Sequence, residues 1–286
     1  MHLLDATMFW GPAGGVRRVV GAKHAALGAM CWKHTIVAPG AEAEADTLDC
    51  GGVRLPGACG YRIVLHPWLA ARMIERCTPD IVEAADPYAL GRAALHAARR
   101  LRVPAVAFCH SHVPSLLLRF TQQLGGEHFG VARRSDRAAR QWLRRLYERF
   151  DLVLAPSYWV TEDLRASGLP QVIHQPLGVD CRVFSPMRRD LAWRETLLCD
   201  LGLEPDTHLL VFCGRFAPAE AIHAQVHSPA PALAVRAKQR ALQHDWPRVL
   251  RGWMGRYASM VHARVPSPQT RPARPHIPFD SPMVSR

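Results

Sequence analysis

The sequence lacks the features that mark a membrane-spanning, secreted or metal-binding protein. It contains no run of 18 apolar residues, so we expect no transmembrane helix. The first residues include Asp5 and do not follow the order of regions found in a secretory signal. The eight cysteines form no C-x-x-C pair and no ligand-like spacing with histidine. We therefore expect reduced thiols, no metal site and a cytoplasmic location.

Acidic residues are scarce in the last quarter of the chain. Residues 221–286 carry ten Lys and Arg, two Asp and no Glu, whereas residues 1–220 carry 26 basic and 22 acidic residues. The last 66 residues also hold nine prolines, which break regular elements. We expect a Pro- and Arg-rich, partly disordered tail, with candidate helices over Ala230–Gln243 and Pro247–Met260. Binding of nucleic acid or an anionic surface by this tail stays open, but no recognition module accompanies it, so no specific nucleic-acid partner is expected.

Residues 1–220 alternate short apolar runs with helical patterns. This alternation predicts an α/β fold with a doubly wound, mostly parallel sheet and helices on both faces. The predicted strands are His2–Ala6, Thr35–Ala38, Ile81–Glu83, Ala105–Cys109, Leu152–Ala155, Val172–His174 and Leu209–Cys213. The predicted helices are Val16–Leu27, His66–Arg76, Tyr88–Arg100, Asp136–Phe150 and Val160–Ala166.

The first predicted strand runs into the glycine-rich loop GPAGGVRRVV, which includes Gly14 and Gly15. Glycines let backbone N–H groups approach an anion, and the following helix offers its positive end. The loop matches neither the Walker A pattern nor G-x-G-x-x-G. On the residues alone, a plain turn and a phosphate-binding loop both remain open.

Polar side chains follow three further predicted strands, at the edge where open α/β sheets bind ligands. In VAFCHSHVP, His110 is a candidate site residue, while His112 is interpreted as a capping or loop residue. In DIVEAADPY, Glu83 and Asp86 could bind hydroxyl-rich ligands, and a helix N-cap is the alternative for Asp86. Ser157 lacks the flanking glycines of a nucleophile elbow, so an N-cap is the default.

Two basic segments add further candidates. Arg215 lies in the Gly-Arg turn after the last predicted strand and could pair with a diphosphate, with a surface arginine as the alternative. The stretch RRSDRAARQWLRRLYERF places six apolar residues on one helical face, with arginines around the rest. We interpret it as a core-facing helix with a solvated basic face, and contact with an anionic membrane surface as the alternative.

Six segments in this order resemble the retaining glycosyltransferases of family 4, which have the GT-B fold of two Rossmann-like domains. They are GPAGGVRRVV, DIVEAADPY, VAFCHSHVP, DLVLAPSYWVTEDL, QPLGVDCRVFSP and LLVFCGRFAP, spanning roughly residues 1–220. The resemblance implies a Rossmann-like acceptor domain over 1–186, a linker helix and the first strand of the donor-binding domain over 187–220, and a non-family tail over 221–286.

The resemblance also implies an activity and roles for individual residues. Sugar would pass from a nucleotide-sugar donor to an acceptor hydroxyl with retention, with no cofactor or metal. Gly14, Gly15 and Arg215 match the residues around the donor diphosphate, and His110 matches a residue near the reacting sugar. Glu83, Asp86 and Ser157 are candidates for the acceptor or sugar. Expected partners are the donor, a glycan or lipid-linked acceptor and, peripherally, the inner face of the membrane.

The chain departs from the family after Arg215. The family places a Lys shortly after the Gly-Arg turn and two Glu further on, but here the next Lys is Lys238, and residues 221–286 contain no Glu. We therefore expect a truncated donor domain and impaired transfer, and a frame shift is one hypothesis for the change. A non-catalytic glycan- or acceptor-binding module is the alternative function, and a binder acting through the basic tail is a further one.

Overall fold

The computed structural model describes residues 1–11, 14–41, 46–54, 61–115, 117, 129–207 and 238–264. The strands are β1 (His2–Ala6), β2 (Lys33–Ala38), β3 (Thr47–Asp49), β4 (Val53–Arg54), β5 (Arg62–Ile63), β6 (Ile81–Ala84), β7 (Ala105–Phe108), β8 (Leu152–Ala155) and β9 (Val172–His174). The helices are α1 (Gly15–Ala29), α2 (Pro67–Cys77), α3 (Ala89–Leu101), α4 (Phe129–Tyr147), α5 (Tyr158–Ala166), α6 (Leu191–Asp200) and α7 (Trp246–Arg264).

Seven of the strands form one parallel sheet in the order β3-β2-β1-β6-β7-β8-β9. The chain moves outward from β1 to β3 and then returns to place β6 on the other side of β1. The topological switch point therefore lies between the carboxyl ends of β1 and β6, where open α/β sheets hold ligands. The predicted α/β fold class with a doubly wound parallel sheet is confirmed.

Both faces of the sheet are covered, which explains why β1 is buried along its whole length. One core layer packs side chains of α2, α3, α4 and α5 against the sheet. The other layer is formed by α1 and α7. Within the described helices, none has the length and apolar character needed to cross a bilayer.

Helix α7 makes residues 246–264 part of this N-terminal core. The side chains of Trp253 and Tyr257, four residues apart, are fully buried, and those of Leu250 and Met254 are almost fully buried. The sequence suggested a helix over Pro247–Met260 but placed it in a tail separate from the domain. The composition did not reveal that this helix packs against the sheet, because the apolar face of α7 is short and interrupted by basic residues. The proposed domain boundaries themselves stay predictions.

The remaining differences are local. Strand β3 and the antiparallel pair of β4 and β5 differ from the prediction, which had no strands there, because each strand is only two or three residues long and carries a charged residue. Helix α4 begins seven residues before the predicted Asp136. Its apolar face is largely buried as expected, but Trp142 is 38% exposed. The predicted strand Leu209–Cys213 lies outside the described residues.

Candidate functional site

The candidate site lies at the carboxyl edge of the sheet, where the loops after β1, β6 and β7 meet. The register pairs Ala6 with Ala84 and Ala84 with Ala107. The three strand ends are therefore level, and each lies about 4.8 Å from its neighbour. This places the start of α1, Asp86 and His110 at the same edge of the sheet, where the sequence predicted ligand-binding strand ends.

Gly14 and Gly15 form the start of α1 at this edge. Gly14 is the N-cap in an extended conformation, and its carbonyl accepts the first helical bond, from the N–H of Arg18 at 3.1 Å. The first turn contains no acidic residue, and a Cβ added at Gly15 would contact nothing within 4 Å. The N–H groups of the first turn have no partner within the helix, so they can serve an anion outside it.

Asp86 ties the segment directly after β1 to the end of β6. One carboxylate oxygen accepts the N–H of Met8 at 2.8 Å, and the other accepts the N–H of Tyr88 at 2.9 Å. Burial raises the pKa of Asp86 to about 6, although these backbone N–H groups lower it. Helix α3 begins after Tyr88, so Asp86 is not its N-cap. The carboxylate spans the switch point and holds the two loops in register.

His110 follows β7 and presents a buried Nε2 atom that has no hydrogen-bond partner among the described residues. Its ring stacks on Phe108, with centroids 4.1 Å apart and planes inclined by 14°. Burial, helped by the positive charge of Lys23, lowers the pKa of His110 to about 3. The imidazole is therefore neutral at physiological pH, and its free nitrogen can exchange a hydrogen bond with a ligand.

Glu83 does not face this edge. Its carboxylate is 1% exposed and lies in a buried polar cluster, which we define as Asp5, Lys23, His34, Glu83 and Tyr257. Lys23 bridges Asp5 at 2.7 Å and Glu83 at 2.8 Å, and the Tyr257 hydroxyl donates to Glu83. The sequence suggested that Glu83 could bind hydroxyl-rich ligands. In the structure its carboxylate oxygens instead bind Lys23 and Tyr257 inside the core, because strand β6 is covered on both faces.

The buried polar cluster is strongly perturbed. Burial raises the pKa of Asp5, but the Lys23 ammonium and the His34 ring outweigh this effect and hold it at about 2. Burial raises the pKa of Glu83 to about 7, with Lys23 opposing and Asp5 reinforcing the shift. Sequence reasoning missed this cluster. Its signals were an aspartate inside the apolar strand HLLDA and a lysine on the inward face of α1.

Ser157 and His112 serve local structure. The Ser157 hydroxyl accepts the N–H of Val160 at 3.3 Å and so caps α5, which was the default interpretation. His112 contacts Ser115 at 2.7 Å and Asp163 at 2.9 Å, and Arg140 also pairs with Asp163. Both residues lie at the carboxyl edge, so a sugar-binding role for Ser157 stays a prediction. Arg215 lies outside the described residues.

Comparison with known proteins points in the same direction as this geometry. The sequence model of Glycosyltransferase Family 4 matches residues 13–183, which is more than half of the chain. A GDP-mannose-dependent alpha-mannosyltransferase of Mycobacterium tuberculosis is 36% identical over 148 residues, covering 51% of this chain and 35% of that protein. A Mycolicibacterium smegmatis protein of the same name is 40% identical over 141 residues, covering 49% of this chain and 33% of its own.

A longer match reaches further along the chain. A GDP-mannose-dependent alpha-(1-6)-phosphatidylinositol dimannoside mannosyltransferase of Mycobacterium tuberculosis is 28% identical over 228 residues. That match covers 76% of this chain and 55% of the relative. The matches therefore span between about a third and just over half of the length of these relatives.

Proposed function

Because the chain belongs to glycosyltransferase family 4, we propose that it transfers a sugar from a nucleotide-sugar donor to an acceptor hydroxyl with retention at the anomeric carbon. The observation that carries the proposal is that the start of α1, after β1, and His110, after β7, lie at the same carboxyl edge of the sheet. A diphosphate leaving group needs donors for its growing negative charge, and the reacting sugar needs a hydrogen-bond partner beside it.

The start of α1 fits the diphosphate. Its free N–H groups and the positive end of the helix would stabilise negative charge that develops as the sugar–phosphate bond breaks. Gly14 and Gly15 present backbone at this position without side chains that would keep phosphate oxygens away. Arg215 would add a paired contact, as the family resemblance implies.

His110 fits the sugar. Its neutral ring and unpartnered Nε2 can donate to, or accept from, a hydroxyl of the transferred sugar without placing a second charge in the site. We propose a nucleoside diphosphate sugar as the donor and GDP-mannose as the first to test, because the relatives reported above carry that name. The acceptor would be a glycan or a lipid-linked sugar, with a peripheral membrane contact as a further proposal.

We further propose that this chain transfers sugar slowly by itself. Catalysis depends on holding donor and acceptor in register, and the family's donor-side Lys and Glu residues have no counterparts after Arg215. No cofactor or metal is proposed, since the nucleotide sugar is the substrate. Calorimetry with GDP-mannose, GDP and UDP-glucose, followed by assays for released nucleotide, measures binding and turnover separately.

The sharpest variant is Gly15→Ala. A methyl group there touches nothing in the protein and replaces glycine by a better helix former, so we expect thermal stability to hold or rise slightly. The same methyl group would stand where a diphosphate approaches the backbone, so we expect at least a tenfold loss of GDP affinity. Gly28→Ala, near the other end of the same helix and equally free of contacts, is the matched control and should leave affinity unchanged.

If the Gly15→Ala and Gly28→Ala proteins bind GDP with equal affinity, the proposal that the start of α1 binds the donor diphosphate is wrong. Acceptor binding with no affinity for any nucleotide or nucleotide sugar would favour the non-catalytic binding module instead.

A further inference from the structure

We propose that Trp253 is a positioning residue for His110 and acts through Phe108. The proposal rests on the site role of His110 given above, and it assigns to the C-terminal helix a part in shaping a site that lies more than 140 residues earlier in the chain.

Three rings stand in a row across the core. His110 stacks on Phe108 at 4.1 Å, and Trp253 lies against Phe108 with centroids 5.1 Å apart and planes inclined by 37°. Phe108 and Trp253 are both fully buried. Because protein interiors are closely packed, the Phe108 ring has little room to turn while Trp253 is present. Its plane in turn sets the plane of the imidazole.

Trp253 is itself held in place. The Lys23 ammonium lies 4.8 Å from the centre of its indole ring, a cation–π contact in a buried setting. One turn further along α7, Tyr257 donates its hydroxyl proton to Glu83. The buried polar cluster therefore restrains the rotation of α7 about its axis and, with it, the position of the indole.

The orientation of His110 matters because its Nε2 atom has no partner among the described residues. The stack on Phe108 fixes the plane of the ring, and this plane sets the direction in which Nε2 can form a hydrogen bond with a ligand. The charged groups that act on the ring are Lys23 of α1 and Asp5 of β1.

The test is nuclear magnetic resonance of the histidine rings in the full chain. The His110 signal is assigned by its disappearance in His110→Gln. In the unchanged protein, we expect an upfield ring-current shift from the stacked Phe108 and no titration between pH 5 and 8, because burial and Lys23 lower the pKa of His110 to about 3. In Trp253→Leu, we expect most of the upfield shift to be lost and the ring to titrate at least one pH unit higher.

Trp253→Phe is a milder variant in case Trp253→Leu does not fold, and we expect it to lose part of the upfield shift. Trp193→Leu, at a tryptophan that is 63% exposed on α6, is the control and should leave the His110 signal unchanged. A folded Trp253 variant with lower thermal stability but an unaltered His110 signal would show that Trp253 is structural only and overturn the proposal.

This readout needs no sugar or nucleotide. If the protein fails to bind nucleotide sugars but Trp253 variants still change the His110 signal, the result counts against the proposed function alone.

Discussion

At the scale of single residues, the molecule separates two groups of polar side chains that the sequence placed close together. Asp86 and His110 lie at the carboxyl edge, whereas Glu83, only three residues before Asp86, lies in the buried polar cluster. The separation follows from the strand: Glu83 is within β6 and between two layers of helices, and Asp86 is beyond its end. Two residues of one motif can therefore have unrelated roles.

The pH dependence of stability should report on Glu83. Its pKa is raised to about 7 by burial, so between about pH 4.5 and 7 the native state binds more protons than the unfolded state. The contribution of Glu83 to the free energy of unfolding is thus fully present at low pH and is lost as the pH rises through 7. We expect the unfolding free energy of Glu83→Gln, relative to the unchanged protein, to rise by about 1 kcal/mol from pH 6 to pH 8.

Urea unfolding of both proteins at several pH values measures this difference, and the contributions of the histidines cancel in it. Glu162→Gln, on the exposed surface of α5, is the control for replacing a glutamate carboxylate by an amide. A difference for Glu83→Gln that stays constant with pH would mean that Glu83 is ionised throughout this range.

At the scale of elements, α7 is joined to the rest of the domain by a second contact besides its buried face. The segment after β9 runs beside the start of α7, where the N–H of Val179 donates to His244 and the N–H of Trp246 donates to Val179. Gly178 packs directly against the indole of Trp246, and a Cβ there would overlap the ring. The absence of a side chain at Gly178 thus allows the two segments to approach.

Substitution of Gly178 should loosen α7. We expect Gly178→Ala to lower the unfolding free energy by roughly 1–3 kcal/mol, because the methyl group must displace a large ring in a packed contact. Gly255→Ala, within α7 and free of contacts, is the matched control and should be neutral or slightly stabilising.

A double-mutant cycle with Trp246→Ala assigns the effect. If the cost of Gly178→Ala persists when the indole is absent, the contact with Trp246 is not its cause.

At the scale of the whole molecule, α7 behaves as a core element and α6 as a surface one. Five α7 side chains enter the same core layer as β1, β6 and β7, whereas α6 buries only Leu198. Local stability follows burial, because opening a buried helix exposes its apolar face together with that of the sheet. We therefore expect α7 and the parallel sheet to open as one cooperative unit.

Amide hydrogen exchange should show this unit directly. We expect the amides of α7 to exchange as slowly as those of β1 and β6, and the amides of α6 to exchange at least tenfold faster. The two helices lie in one chain and are measured in one sample, so α6 is the internal control. Rapid exchange throughout α7 would contradict its assignment to the core.

The sequence by itself determined the sheet, because apolar runs separated by helical patterns can bury their backbone only between two layers of helices. Predicted strands at His2–Ala6, Leu152–Ala155 and Val172–His174 have the same bounds in the structure. It also located the edge that carries Gly14, Gly15 and His110, since the ends of parallel strands lie on one side of a sheet.

Only the tertiary structure decided which polar residues are buried and what covers them. The partners Asp5, Lys23, Glu83 and Tyr257 lie on β1, α1, β6 and α7, and they meet only where these four elements pack together. The contact of Trp253 with Phe108 has the same origin. Local patterns carry no information about contacts between such distant residues, because close packing in three dimensions, and not periodicity, selects which of them meet.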